Sequence, residues 1–314
     1  MPRKIVIFVV GILKFIFWME IKHLKHTQID FLKWDSCIWQ ASNSLVYAES
    51  WYLNVVSPNW EALVGGNYEY VMPLPKKRKL GISFLIQPPI TQQLGIFSKE
   101  KIGEKIFQKF IRKIPYLSYH LNLNEQNEHK NTSAQPNYVL DLNRNFKDLC
   151  ADFSKNTKRN IEKASKLCVR LVDDLLPNEF LDFYFSTEKN YSVPKKNLVS
   201  KLIENGFSRG KMTLFGAYNA ENELISALCL LHSKERFIYL LPISSEAGKS
   251  SLAMFLILNE IICRNAETPN MLDFEGSRIE GIAQFYRGFG AKLKPYFELK
   301  RLSVNDFLSS LENK

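Results

Sequence analysis

The order of elements in the second half of this chain repeats the order in the first half, and that repetition limits the fold more than any single motif does. Trp60–Val64 and Tyr68–Met72 read as strands around Gly65-Gly66-Asn67, residues that tolerate the positive φ of a hairpin turn. Pro73 and Pro75 end the second strand, the basic run Lys76–Lys79 makes the next turn, and Gly81–Ile86 is a third strand stopped by Gln87-Pro88-Pro89. A polar loop at Thr91–Gly95 then leads to a helix over 98–114 and a strand over 116–123. Further on, Lys211–Tyr218 and Leu224–His232 form a hairpin around Asn219–Glu223, and Ser233–Arg236 is a charged turn. The strand Phe237–Pro242, the small polar turn Ser244–Ser251, the apolar helix Leu252–Cys263 and the strand Met271–Glu275 follow. Two copies of one strand-rich order with a single helix predict a duplicated α/β domain.

The remaining segments fit around these copies. Ile21–Leu24 reads as a strand, and Thr27–Asn43 and Tyr47–Leu53 are helical in part. Asn122–Asn137 has linker composition, so the boundaries are set at 19–137 for the first domain and 138–314 for the second. Tyr138–Leu142 opens the second domain as a strand. The stretch 146–170 reads as one amphipathic helix: Phe146, Leu149, Cys150, Phe153, Ile161, Ala164, Leu167 and Cys168 share a face. Lys155, Lys158, Arg159, Lys163, Lys166 and Arg170 share the opposite face, with Glu162 the lone acid among them. Such a stripe is either an ordinary solvated face or a surface for a phosphate-rich ligand. Residues 1–18 are apolar apart from Arg3, Lys4 and Lys14, too short for a membrane span of roughly 20 residues and without a small-residue cleavage site. They are read as a non-native extension ahead of a true start at Met19, with an interfacial helix as the alternative.

A net charge of +10 points to an anionic partner, whether nucleotide, nucleic acid or membrane surface. The five cysteines are scattered among apolar neighbours with no C-x-x-C pair, as expected of reduced core thiols in a cytoplasmic protein, and a protein this basic also suits a membrane surface. Beyond the His23/His26 pair the histidines lack ligand spacing, so no metal is predicted.

From Phe237 to Ala291 the predicted order brings two strand ends and a helix N-terminus to one sheet edge, the usual place for an anionic ligand in an open α/β sheet. Gly248-Lys249-Ser250 has the tail of a P-loop, but the position of its first glycine is Ile243, which argues against an NTPase. Glu260, in the apolar helix, is read as a paired core carboxylate.

Asp273-Phe-Glu-Gly-Ser277 followed by Ile282-Ala-Gln-Phe-Tyr-Arg-Gly-Phe-Gly290 resembles the last motif of a GNAT-type N-acyltransferase, and Lys158–Ala164 is similar to a helix of the FemAB-like transferases. Those enzymes are built from two GNAT domains. Tyr47–Trp51 and the Gln87–Phe97 loop extend the resemblance over roughly residues 20–302. It implies two tandem GNAT-like domains of α/β (α+β) class, each a mixed, mostly antiparallel sheet flanked by helices. It also implies transfer of an acyl or aminoacyl group from an activated carrier to an amine, which in the FemAB group suggests a cell-envelope precursor.

The carrier implied by the resemblance is acetyl-CoA or another acyl-CoA, acyl-carrier protein or aminoacyl-tRNA. For a CoA pyrophosphate the resemblance points to Gly248, Lys249, Ser250 and Ser251, with Arg278 and Arg287 as further anion contacts. Only one glycine remains of the usual glycine-rich loop. A tRNA carrier would instead suit Lys155, Lys158, Arg159 and Lys163. By family position Tyr286 is the general acid for the leaving group, although Phe285, Tyr286 and Phe289 also have the spacing of core aromatics. Either Asp273 or Glu275 could steer or deprotonate the amine; Glu275 is the first choice, and Asp273 is expected to cap or to pair with a neighbouring cation. The alternatives to an enzyme are an RNA-binding module using the cationic stripe and a non-catalytic GNAT scaffold that binds partners.

Overall fold

The computed structural model describes residues 19–167, 170–189 and 193–302; the apolar segment 1–18 and Cys168 lie outside them. The chain divides into two compact units, one running to Ala134 and resuming at Tyr296, the other spanning Gln135–Pro295. From the sequence the division falls at 137/138, with everything later in the second domain. The difference at the far end has a plain cause: the strand Tyr296–Arg301 pairs antiparallel with Tyr119–Leu123 and buries Phe297 and Leu299 in the core of the first unit.

In the first unit the strands are β1 (Ile21–Leu24), β2 (Glu61–Gly65), β3 (Tyr70–Leu74), β4 (Lys76–Lys79), β5 (Ile82–Ile86), β6 (Phe97–Ser98), β7 (Tyr119–Leu123) and β8 (Ser133–Gln135). They form two sheets, one of order β1-β2-β3-β6 and one in which β4, β5, β7, the Tyr296–Arg301 strand and β8 lie side by side. Both faces of β2 and β3 are buried, which explains a sequence that is apolar but for Glu61. The helix Glu104–Arg112 presses Ile106, Phe107 and Phe110 into the same core as Leu63, Met72, Leu85 and Leu121.

Lys76–Lys79, read from sequence as a turn, is a strand. The turn is Leu80-Gly81, whose φ values of 50° and 82° suit the two-residue hairpins that follow strand twist. Four consecutive basic residues hide the strand from a pattern search because no apolar residue alternates with them.

Beneath this hairpin, Glu61 is buried and receives His23 at 2.6 Å, Lys25 at 3.1 Å, Lys76 at 2.5 Å and the Tyr116 hydroxyl at 2.6 Å. Burial alone would raise its pKa, but the hydrogen bonds from Lys76, Tyr116, His23 and Lys25 outweigh it and hold the carboxylate at about 2. A group whose folded pKa is depressed contributes stability above its unfolded value, about 4.3, and loses it as pH falls through the folded one. Glu61→Gln should therefore lower the melting temperature at neutral pH and flatten its decline between those two pKa values. Thermal unfolding followed across that acid range checks this.

The second unit holds β9 (Tyr138–Asp141), β10 (Arg170–Val172), β11 (Met212–Tyr218), β12 (Leu224–His232), β13 (Arg236–Ser244), β14 (Met271–Asp273) and β15 (Lys292–Leu293); β16 (Tyr296–Arg301) is the strand that returns to the first unit. The sheet order is β10-β11-β12-β13-β14-β9-β15, antiparallel except where β13 meets β14. The helix Ala253–Asn265 seals one face through Ile257, Leu258, Ile261 and Ile262. The fold is thus mixed α/β, with mostly antiparallel sheets and flanking helices, as the sequence predicts.

The single helix expected over 146–170 is two, Phe146–Ala151 and Lys155–Leu167, and Arg170 begins β10. The break falls at Ser154, whose hydroxyl accepts the Thr157 N–H at 3.1 Å and starts the second helix, as N-cap serines do. Leu167, placed on the apolar face by the wheel, is exposed. Cys37 and Cys229 are core thiols, but Cys150 is half-buried and Cys263 exposed. Glu260 is partly exposed and pairs with Arg264 at 2.6 Å at the surface, not in the core.

Candidate functional site

The parallel pairing of β13 with β14 lasts three positions, Arg236 to Met271, Phe237 to Leu272 and Ile238 to Asp273, after which β14 stops and β13 continues to Ser244. Two neighbouring strands that part in this way leave a wedge between Tyr239–Ser244 and the residues after Asp273. Asp273 causes the parting. It is buried, takes Arg236 Nη1 on Oδ2 at 2.6 Å, and accepts the Glu275 N–H on Oδ1 at 2.9 Å, a short side-chain turn that diverts the backbone. Glu275 emerges from it at φ 57°, a left-handed conformation uncommon for glutamate and enriched at working sites. The strand read from sequence as Met271–Glu275 therefore stops at Asp273, and Glu275 lies beyond it.

Tyr286 stands at the base of this wedge on the helix Glu280–Gly288. Its buried ring stacks on Phe274 at 4.9 Å and meets Tyr239 edge-on at 6.0 Å. Burial raises its pKa, and the carboxylates of Glu275 and Asp273 raise it further, so the hydroxyl keeps its proton through neutral pH. Among the described residues that hydroxyl has no hydrogen-bond partner. Tyr286, Glu275 and Asp273 are therefore brought together, with Asp273 held in an ion pair as expected. Its partner Arg236 reads from sequence as part of a charged turn; its place directly before an apolar strand is the signal that could have found it.

The loop expected to cradle a pyrophosphate is closed on itself. Glu246–Ser250 is a short helix capped by Ser245, whose hydroxyl accepts the Gly248 N–H at 3.2 Å and whose carbonyl accepts that of Lys249 at 2.9 Å. The Ser251 N–H goes to Ala247 at 2.9 Å, and Lys249 pairs with Glu246 at 2.5 Å. A Cβ on Gly248 would lie 2.0 Å from the Ile225 carbonyl, so this glycine serves packing against β12 rather than approach to a ligand. The residues do not fit a CoA pyrophosphate. Arg278 binds the Gln135 side chain, and Arg287 binds Glu280 and donates to the Tyr138 hydroxyl at 3.1 Å.

On the other side of the Tyr286 helix lies a cleft of about 540 Å³ lined by Ser154, Thr157, Phe255, Gln284, Phe285 and Arg287. Here the start of the Lys155–Leu167 helix is pinned to the end of the Tyr286 helix. The Ser154 N–H bonds the Gly288 carbonyl at 2.9 Å, and a Cβ on Gly288 would come within 2.5 Å of Thr157 Oγ1. Lys155, Lys158, Arg159, Lys163 and Lys166 all point to solvent from this helix. Lys158 donates to the Ala151 carbonyl at 3.1 Å and Arg159 to Asn156 at 2.7 Å, and Lys166 pairs with Glu162 at 2.8 Å. Lys155 and Lys163 have no such partner among the described residues.

Comparison with known proteins bears on this arrangement. The FemAB family model matches residues 73–199. The chain is also similar to a crystal structure of FemX over 94% of its own length and 100% of the other, at a TM-score of 0.67 and 12% identity. The segment 73–199 is thus similar to the FemAB family, and the fold of nearly the whole chain is similar to that of FemX. Its fold is likewise similar to the C-terminal domain of a putative lysylphosphatidylglycerol synthetase from Agrobacterium fabrum, at TM-score 0.55 and 8% identity over 90% and 95% of the two chains. A conserved protein of unknown function from Bacteroides thetaiotaomicron VPI-5482 gives 0.50 and 11% over 89% and 99%. No curated protein matches the sequence. The FemAB-like match takes in β4, β5 and the cationic helix, whereas the wedge at Tyr286 lies beyond it.

Proposed function

We propose that this FemAB-like chain transfers an aminoacyl group from the 3′ end of a charged tRNA to the amine of an acceptor, a cell-envelope precursor by the FemAB resemblance, using the wedge at Tyr286. The observation that carries the reading is the cationic Lys155–Leu167 helix pinned at its start to the helix that bears Tyr286, while the Gly248, Lys249 and Ser251 N–H groups are already bonded within their own loop. A nucleic-acid carrier needs a row of cations and no pyrophosphate cradle.

In the reaction the acceptor nitrogen attacks the ester carbonyl carbon. The N–C bond forms, the C–O bond to the ribose breaks, and the products are an amide and a free ribose hydroxyl. Glu275 takes the proton that the amine loses, and the Tyr286 hydroxyl gives one to the departing oxygen. The buried phenolate is costly, so Tyr286 recovers its proton from Glu275 and the site is reset. Asp273, fixed by Arg236, positions Glu275 through its backbone N–H.

Incubation of the protein with charged tRNA and a panel of amine acceptors, read by mass spectrometry, should yield an amide product carrying the amino acid. Binding of tRNA with no product from any charged species would leave an RNA-binding protein and overturn the reading.

A further inference from the structure

In the five-stranded sheet of the first unit, β4 and β16 end, and β5 and β7 begin, at the same edge, because β4 is antiparallel to β5, β5 is parallel to β7, and β7 is antiparallel to β16. Three leucines that the core does not use stand at this edge: Leu80 in the β4–β5 turn, Leu117 just before β7 and Leu302 just after β16. They are 70%, 62% and 55% exposed, and the Ser118 hydroxyl bonds the Leu302 carbonyl at 3.1 Å, which holds the last two side by side. Lys77, Arg78, Lys79 and Arg301 are exposed around them. The nearby acid, Glu61, is buried and already neutralised by its own cations.

Leu80 is the telling residue. A bulky side chain at φ 50° is unfavourable, the following Gly81 shows that the turn tolerates residues better suited to it, and an exposed leucine gains nothing from the fold. Apolar tips ringed by cations complement a surface that is anionic outside and apolar just beneath. A nucleic acid would ask for aromatic stacking faces among the cations, which leucines do not supply.

We propose that this edge docks the first unit on an anionic lipid surface. Leu80, Leu117 and Leu302 enter the headgroup layer, while Lys77, Arg78, Lys79 and Arg301 meet lipid phosphates. The inference stands apart from the donor site, which lies in the second unit.

The test is co-sedimentation of the full chain with phosphatidylcholine vesicles, with and without phosphatidylglycerol. Wild type should prefer the anionic vesicles. The triple variant Lys77→Glu, Arg78→Glu, Lys79→Glu should lower that partition by about 100-fold, since each basic residue near an anionic surface is worth about 1 kcal/mol. Leu80→Ser with Leu117→Ser, both exposed and so harmless to the fold, should lower it by about 10-fold or more. Residues 1–18 are present in every variant, so any contribution from them cancels. Unchanged vesicle binding by the triple variant, equal binding to neutral and anionic vesicles, or a triple variant that loses tRNA and keeps vesicles would each overturn the proposal.

Discussion

Tyr286→Phe is expected to cut the rate of transfer by about 100-fold or more, the usual worth of a positioned general acid, while leaving the melting temperature nearly unchanged. The ring would keep its stack on Phe274 and its edge-on packing against Tyr239, and removal of the hydroxyl leaves no partner unsatisfied. The fall should appear in kcat and in kcat/KM alike, because the hydroxyl acts on charge that develops only as the ester breaks. A purely structural tyrosine would leave the rate nearly unchanged, since the substitution keeps the packing of the ring. Single-turnover kinetics beside a thermal melt separate the two. Because burial and two carboxylates raise the Tyr286 pKa, its ionisation should not limit the rate at neutral pH.

Reversing the charge of Lys155, Lys158 and Lys163 to glutamate should weaken tRNA binding by about 100-fold or more at low salt. It should also reduce the slope of log affinity against log salt by about 0.7 to 0.9 for each phosphate that is no longer neutralised. All three side chains are exposed, and the helix is held by Thr157 and Ala164 on its inner face and by the Ser154 cap, so the fold has little reason to respond. The rate at saturating tRNA should be preserved, since none of these cations touches the wedge. Filter binding over a range of salt concentrations reads both quantities. An unchanged slope would mean that the stripe is an ordinary solvated face and that the carrier lies elsewhere.

Much of the fold is legible in the sequence because it is written in apolar periodicity. β12 spans the residues expected of it, and β11, β13 and the Ala253–Asn265 helix depart from expectation only at their ends. The features that escape are those in which polar chemistry replaces the periodic signal. β4 is a strand of four basic residues. The break at Ser154 depends on a single capping hydroxyl within a pattern that could have run on as one helix. The return of β16 to the first unit is a long-range choice that no local pattern encodes.

The site divides in the same way. Tyr286, Glu275 and Asp273 are named as candidates through the resemblance of a short motif; in the structure they lie close together, and Asp273 is held in an ion pair. Its partner Arg236 escapes because 37 residues of sequence separate the two. The Gly248 loop misleads because composition does not show where N–H groups are spent; one serine cap and a carbonyl of β12 decide that.

The most direct test of the account offers both donors in one reaction. The protein is supplied with charged tRNA and with an acyl-CoA whose acyl group has a different isotopic mass, together with an amine acceptor, and the product mass identifies the donor. The product should carry the tRNA-borne aminoacyl group, and its formation should collapse with Tyr286→Phe. Product carrying the CoA-borne group, formed whether or not tRNA is present, would contradict it.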